Sequence, residues 1–215
     1  MKYKIRKAEI NDIPFLIQSV FQSEKIGTDI ISYCTLFDIP ENTLSEQLNE
    51  AFIEDFEILP WSLNHWYVSV NERDTPVAAL AYWREPEISN SEIQKFQYLS
   101  FINKNKVTQP DFINRYDLLK QIAINREPNH YQFDFLFTED EYRGQGIMFN
   151  MMNVLINESS SSNFQIQVLE SNSKAKKLYE RIGFVENKRI TLNGLKEKKI
   201  LADNTKINMV FYGKK

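Results

Sequence analysis

Between residues 131 and 156 the chain runs from an alternating strand, through a turn with two glycines, into an apolar helix, and few folds accommodate that succession. Tyr131, Phe133, Phe135 and Phe137 alternate with Gln132, Asp134, Leu136 and Thr138. A period of two predicts a strand with the first set on one face and the second on the other. A polar turn follows, then Arg143-Gly144-Gln145-Gly146, then the apolar stretch 147–156. The first turn of a helix has N–H groups without internal acceptors and carries the positive end of the dipole, so phosphate oxygens fit there. Gly144 and Gly146 lack Cβ atoms and let an anion approach the backbone; Arg143 adds a full charge. The loop lacks the lysine of a Gly-Lys-Ser/Thr phosphate loop and the three-glycine spacing of a dinucleotide fingerprint. Taken alone, it is equally an ordinary strand-to-helix turn.

The rest of the chain supplies the frame. Residues 3–7 alternate as a short strand, and Asn11-Asp12 opens a helix with Pro14 in its first turn and Ile13, Leu16, Ile17, Val20 and Phe21 on one face. A second helix is predicted after Pro40, capped by Asn42 or Thr43. Residues 65–72 and 76–83 are rich in β-branched and aromatic side chains and read as a hairpin. The stretch 84–129 reads as mostly helical. One face holds Ile93, Phe96, Leu99 and Ile102; another holds Phe112, Ile113, Tyr116, Leu119 and Ile122, behind Pro110. Downstream come a strand at 164–169, a helix at 172–182 ended by Gly183, and two strands with a tight turn at Asn193-Gly194. This order predicts an α/β chain with a mixed sheet flanked by helices, one domain over residues 1–215 with a helical insertion at about 84–129.

Composition narrows the function classes. A net charge of −3 lacks the basic footprint of a nucleic-acid protein. Cys34 is the only cysteine, and with His65 and His130 as the only histidines a Cys/His zinc site is not expected. No apolar stretch is long enough to span a bilayer, and the expectation is a cytoplasmic protein.

A second motif lies one strand past the glycine loop: Asn172-Ser-Lys-Ala175-Lys-Lys-Leu178-Tyr179-Glu-Arg-Ile182-Gly183-Phe184. Together the two segments resemble the GNAT superfamily of acyl-CoA-dependent N-acyltransferases. Its pyrophosphate loop reads R/Q-x-x-G-x-G/A, and Arg143 through Met148 match all but the last position. Its later helix commonly reads N-x-x-A-x-x-L-Y-x-x-x-G-F, and residues 172–184 match every fixed position. Met148 stands where Gly or Ala is usual; with Met151, Met152 and Leu155 at helical spacing it reads as core packing.

The resemblance implies a GNAT-like fold and an N-acetyltransferase of the EC 2.3.1 class that transfers acetyl directly from acetyl-CoA to a primary amine, with no metal. It implies that the pantetheine arm lies between strands 131–138 and 164–169, bonded near Leu136, Phe137 and Thr138. Amides of Arg143, Gly144, Gln145, Gly146, Ile147 and Met148 would hold the pyrophosphate, with Asn172 nearby or simply capping its helix. Tyr179 matches the general acid for the departing thiolate. Asp134, expected on the strand face of Leu136 and Thr138, is the candidate base. The substrate is a small-molecule, peptide or protein amine, with no nucleic acid and no membrane as partner. Phe52, Phe56, Trp61, Trp66 and Tyr67, with Glu54, Asp55 and Glu57, are either an amine pocket or plain core with a solvated face. The insertion at 84–129 either covers the cleft or forms a homodimer contact. The alternative function is a non-catalytic CoA-binding sensor or interaction module on the same fold.

Overall fold

A computed structural model describes residues 3–54, 60–87, 112–159 and 163–213. Its centre is a seven-stranded sheet in the order β1-β2-β3-β4-β5-β7-β6. The strands are β1 (Lys4–Lys7), β2 (Trp66–Val70), β3 (Pro76–Arg84), β4 (Tyr131–Thr138), β5 (Asn163–Leu169), β6 (Val185–Thr191) and β7 (Thr205–Tyr212). Strands β1 to β4 form an antiparallel meander, and β5, β7 and β6 are also antiparallel to one another. Only β4 and β5 are parallel, as the helical crossover between them requires.

Helices α1 (Ile13–Lys25), α2 (Ser32–Phe37), α3 (Glu41–Ile53) and α4 (Phe112–Gln121) precede β4, and α5 (Ile147–Glu158) and α6 (Ser173–Ile182) follow it. Two large cores result. On one side of the sheet Leu16, Val20, Leu44, Leu48 and Phe52 pack against Trp66, Val68 and Ala79. On the other, Met151, Met152 and Leu155 of α5 and Tyr179 of α6 pack against Leu80, Phe133, Ile166 and Ile207. The alternation of Ile207 and Met209 in β7 therefore reads correctly as one buried face.

Several local expectations are corrected. Helix α2 follows no periodic stretch long enough to announce it. The N-cap of α3 is Pro40, without a side-chain cap from Asn42 or Thr43. In the 84–129 stretch, only α4 is helical among the described residues; Ile122 is a turn residue and 123–127 have no regular structure. They are tied by side-chain amides of β5: Gln167 donates to the Ile124 carbonyl at 2.8 Å and Gln165 to that of Asn125 at 3.3 Å. Phe112 and Tyr116 of α4 are buried as expected, but Ile113 is 67% exposed. Ile93, Phe96, Leu99, Ile102 and Pro110 lie outside the described residues. Asn193-Gly194 is no two-residue hairpin: residues 192–204 separate β6 from β7. Leu195 and Ile200 of that loop bury against Ile122, and packing rather than turn chemistry sets its length.

Gly183 ends α6 at φ +115°, where a Cβ would stand 3.1 and 3.2 Å from two ring carbons of Phe211. Gly183→Ala therefore combines a disallowed backbone with a clash in the core, and should cost about 2 kcal/mol. Thermal unfolding should show it as a drop of roughly 4–8 °C in Tm; an unchanged Tm would mean that the α6–β6 junction relaxes freely.

Candidate active site

The parallel pair at the centre of the sheet is short. Tyr131, Gln132 and Phe133 of β4 face Phe164, Gln165 and Ile166 of β5, and beyond Phe133 the two strands part. Strand β5 stays paired with β7 along its whole length, and β4 stays paired with β3. The second half of β4 thus has an edge with no partner strand, opening a wedge toward the 139–146 loop.

A bulge marks the apex. Ala79 pairs with Phe137 but Ala81 with Asp134, so β4 carries one extra residue, and Phe135 sits at φ +51°. A left-handed phenylalanine costs about 1–2 kcal/mol, and such strain gathers at functional sites. The bulge also overturns the simple alternation. Tyr131, Phe133 and Leu136 join the α5/α6 core, whereas Phe135 turns into the α1/α3 core and stacks on Trp66 at 5.8 Å. Phe137 packs on Phe15 of α1 at 5.7 Å. Asp134 therefore does not share a face with Leu136: it lies on the α1 side with Phe135. Strict period-two reading cannot find a bulge that no glycine announces.

At the open end, Gly144 and Gly146 adopt φ +77° and +76°, and no atom lies within 4 Å of where a Cβ would stand on either. Gly146 caps α5, with the Asn150 N–H returning to its carbonyl at 2.9 Å. The N–H groups of Ile147, Met148 and Phe149 precede that first helical bond and have no helical acceptor. A positive dipole end beside an unfilled, Cβ-free concavity fits a phosphate group. Ile147 and Met148 send their side chains into the core, at 5% and 8% exposure, so the methionine does not crowd the loop. Gln145 is fixed from both sides: it accepts from the Tyr3 hydroxyl at 2.6 Å and donates to the Glu141 carbonyl at 3.2 Å. Arg143 donates to the Thr138 carbonyl at 3.0 Å and pairs with Asp140 at 2.8 Å, tying the loop to the end of β4. Part of its charge is therefore already answered by a carboxylate.

Asn172 caps α6, its side-chain oxygen accepting from the Ala175 N–H at 3.2 Å. The expectation of a cap holds. Tyr179 is 5% exposed in the α5/α6 core, its ring 6.2 Å from that of Phe184. Burial, and then the negative charge of Asp134, raises its hydroxyl above the ordinary tyrosine value. The wedge thus brings Tyr179 and Asp134, from opposite sides of the sheet, within electrostatic reach of each other. Asp134 itself pairs with Arg126 at 3.0 Å and accepts from the Phe135 N–H at 3.0 Å.

A cavity of about 180 Å³ lies on the α1 side, with Glu24, Arg126, Gln167 and Lys206 among its polar residues and Tyr33, Trp61 and Tyr116 among its aromatic ones. Glu24 accepts from the Ser32 N–H at 3.2 Å and from the Ser32 hydroxyl. Desolvation raises its pKa, against the Ser32 hydrogen bonds, which lower it. Desolvation lowers that of Lys206, helped by Arg126 and opposed by Asp134 and Glu24. Glu24, Arg126 and Lys206 had no signal in the sequence: each stands alone among ordinary surface charges, and only the tertiary fold collects them. Of the aromatic residues expected near the amine, Trp61 lines this cavity, while Phe52 and Trp66 are plain core. Tyr67 lies under the Lys7 ammonium at 4.1 Å. Phe56, Asp55 and Glu57 lie outside the described residues. His65 stacks on Trp83 and His130 sits against Tyr212, both away from the wedge. Among the described residues no three His, Cys, Asp or Glu are grouped to hold a metal ion, and no helix is long and apolar enough to cross a membrane.

Solved structures share this architecture. An N-acetyltransferase from Staphylococcus aureus Mu50 aligns over 96% of this chain and 99% of its own, at 14% identity and TM-score 0.64. A spermidine N-acetyltransferase chimera from Vibrio cholerae and hSSAT covers 99% and 96%, at 12% identity and TM-score 0.57. A chain of the NatC complex bound to Gag peptide and CoA covers 100% of each at 13% identity and TM-score 0.52. No curated protein matches by sequence. The Acetyltransferase (GNAT) family pattern matches residues 33–184, which span the wedge, the glycine loop and α6, and the chain belongs to that family.

Proposed function

We propose that residues 1–215 form one N-acetyltransferase domain, with the insertion at about 84–129, that carries acetyl from acetyl-CoA directly to a primary amine in the cytoplasm. The observation that carries this reading is the wedge between β4 and β5 closing on a glycine cradle at the N-terminus of α5. The residues present fit the co-substrate. Backbone groups of Leu136, Phe137 and Thr138 lie on the unpaired edge and act as the strand that the pantetheine arm joins. The amides of Arg143, Gly144, Gln145, Gly146, Ile147 and Met148 take the pyrophosphate, with Asn172 shaping the far wall as the cap of α6. Bound there, acetyl-CoA supplies an activated thioester.

This chain's residues do the rest. Tyr179, kept protonated by burial, donates to the departing sulfur. Asp134, at the apex, takes a proton from the substrate ammonium and leaves the neutral amine to attack the thioester. Its Arg126 partner at 3.0 Å holds the carboxylate in place. The strained Phe135 turn pushes that backbone into the wedge. Met148, the one departure from the loop motif and so the residue that would favour a non-catalytic module, has its side chain in the core. Neighbours named for spermidine and for a bound peptide differ widely in their amines, so the choice of amine rests on this chain's own cavity.

Calorimetric titration with acetyl-CoA, with ATP as control, tests the assignment. Saturable one-to-one binding of acetyl-CoA alone is the expected result; no binding, or preference for ATP, overturns it.

A further inference from the structure

The α1-side cavity carries more charge than the reaction needs, and most of it is neutralised in place. Asp134 is answered by Arg126 and by the Phe135 N–H. Besides the exposed Lys120, two half-buried charges are left. Glu24 is held by the N–H and hydroxyl of Ser32, both neutral donors, and pairs with no cation within 4 Å among the described residues. Lys206 likewise pairs with no carboxylate among the described residues. Both are half-buried and both line the same cavity. Glu24 and Lys206 favour each other's charged form across the cavity without a direct ion pair, and a ligand bearing the opposite charge at each point supplies the contact that each lacks.

Arg126 ties the cavity to the apex, for it lines the cavity and pairs with Asp134 at 3.0 Å. Lys206 stands opposite Leu169, at the far end of β5 from the paired residues 164–166. The rest of the lining mixes polar and apolar surface, with Tyr33, Trp61 and Leu36 among its apolar residues. A volume of about 180 Å³ admits a small organic molecule.

We propose that this cavity is the acceptor subsite and takes a zwitterionic amine, an α-amino acid with a small or medium side chain, its ammonium on Glu24 and its carboxylate on Lys206. The proposal rests on the acetyltransferase reading for the reaction but not for the binding. Glu24 and Lys206 are specificity residues: they set which amine enters, while Tyr179 and Asp134 serve the transfer.

The test is calorimetry on the full chain with L-valine, isobutylamine and isovalerate, three ligands that share one hydrocarbon body. Each is titrated in the presence and absence of saturating CoA, so that an ordered mechanism does not hide binding. L-valine should bind at least about tenfold tighter than either half-molecule, the worth of one charge-assisted hydrogen bond. Lys206→Gln should bring L-valine and isobutylamine to within about twofold of each other, and Glu24→Gln should do the same for L-valine and isovalerate. Both variants should leave the acetyl-CoA affinity unchanged. Isobutylamine binding as tightly as L-valine to the wild type would overturn the proposal and mark a simple amine site. So would L-valine failing to bind while acetyl-CoA binds, or discrimination that survives Lys206→Gln. Should L-valine bind through these two residues while acetyl-CoA does not bind at all, the transferase reading fails and the zwitterion site stands. The wild-type ligand series needs no variant, so it decides even if a substitution unfolds the chain.

Discussion

Tyr179→Phe is expected to lower kcat by about 10²–10³-fold, the usual worth of a positioned general acid, and to leave the acetyl-CoA dissociation constant within roughly twofold. The separation follows from where the hydroxyl sits. The Tyr179 ring is buried in the α5/α6 core against Phe184, so phenylalanine keeps the packing and removes only the oxygen. The proposed pyrophosphate cradle is built from the backbone amides of residues 143–148, which the substitution leaves in place. Burial and the charge of Asp134 raise the hydroxyl pKa, and a general acid works in its protonated form. Activity that depends on it is therefore present at low and neutral pH and is lost only as pH rises through the raised value. The wild type should show no alkaline loss of kcat from this group up to about pH 10, the ordinary tyrosine value. Steady-state kinetics from pH 6 to 10 with both proteins decides the matter. A variant with normal kcat would leave Tyr179 as a packing residue and shift the search to water or to the thiolate's own stability.

Much of this site was legible in the sequence because it depends on the backbone. The glycine loop, the capped helix with its tyrosine and the two core strands are local patterns, and local patterns survive folding. Asn172 shows the limit of that success. Its motif position admits a cofactor role or a cap, and the structure shows the cap, which is the more local interaction. The bulge at Phe135 is the clearest failure. One extra residue, with nothing in the composition to announce it, moved Asp134 and Phe135 to the same side and reversed the face assigned to Leu136. Helical periodicity failed in the insertion for a related reason. Ile122 continues the apolar face of α4 at helical spacing, yet the helix ends at Gln121, and the Gln167 and Gln165 amides hold the carbonyls of Ile124 and Asn125 beyond it.

The acceptor cavity was not legible at all. Glu24 ends the first helix, Arg126 lies on a loop and Lys206 opens the last strand, so they are about 80 to 180 residues apart in the chain. Only the strand order, which inserts β7 between β5 and β6, brings Lys206 beside the first helix. No spacing rule reaches across such a topology. The charges proposed to select the amine are thus gathered by tertiary structure, whereas the amides proposed to bind the co-substrate are set by secondary structure.

That contrast makes the loop the sharper place to act. Gly146→Val should weaken acetyl-CoA binding by about 10²-fold or more, while the fold persists. Gly146 sits at φ +76° as the cap of α5, and the space its side chain would enter is open. No protein atom is displaced, so the cost to folding is confined to backbone strain of about 1–2 kcal/mol. The branched side chain instead fills the concavity in front of the Ile147 and Met148 amides. Losing two charge-assisted hydrogen bonds removes at least about 3 kcal/mol, which is about 10²-fold in affinity. Gly146→Ala adds one methyl group to the same position and should fall between the two. The strain is common to both substitutions and the obstruction grows with size, so the graded series separates the two effects. Thermal unfolding should shift by a few degrees and equally in both variants, whereas calorimetry should order them Gly, Ala, Val. Equal affinities in folded variants would show that the phosphate groups bind elsewhere, and the wedge would then lose the feature that ties it to acetyl-CoA.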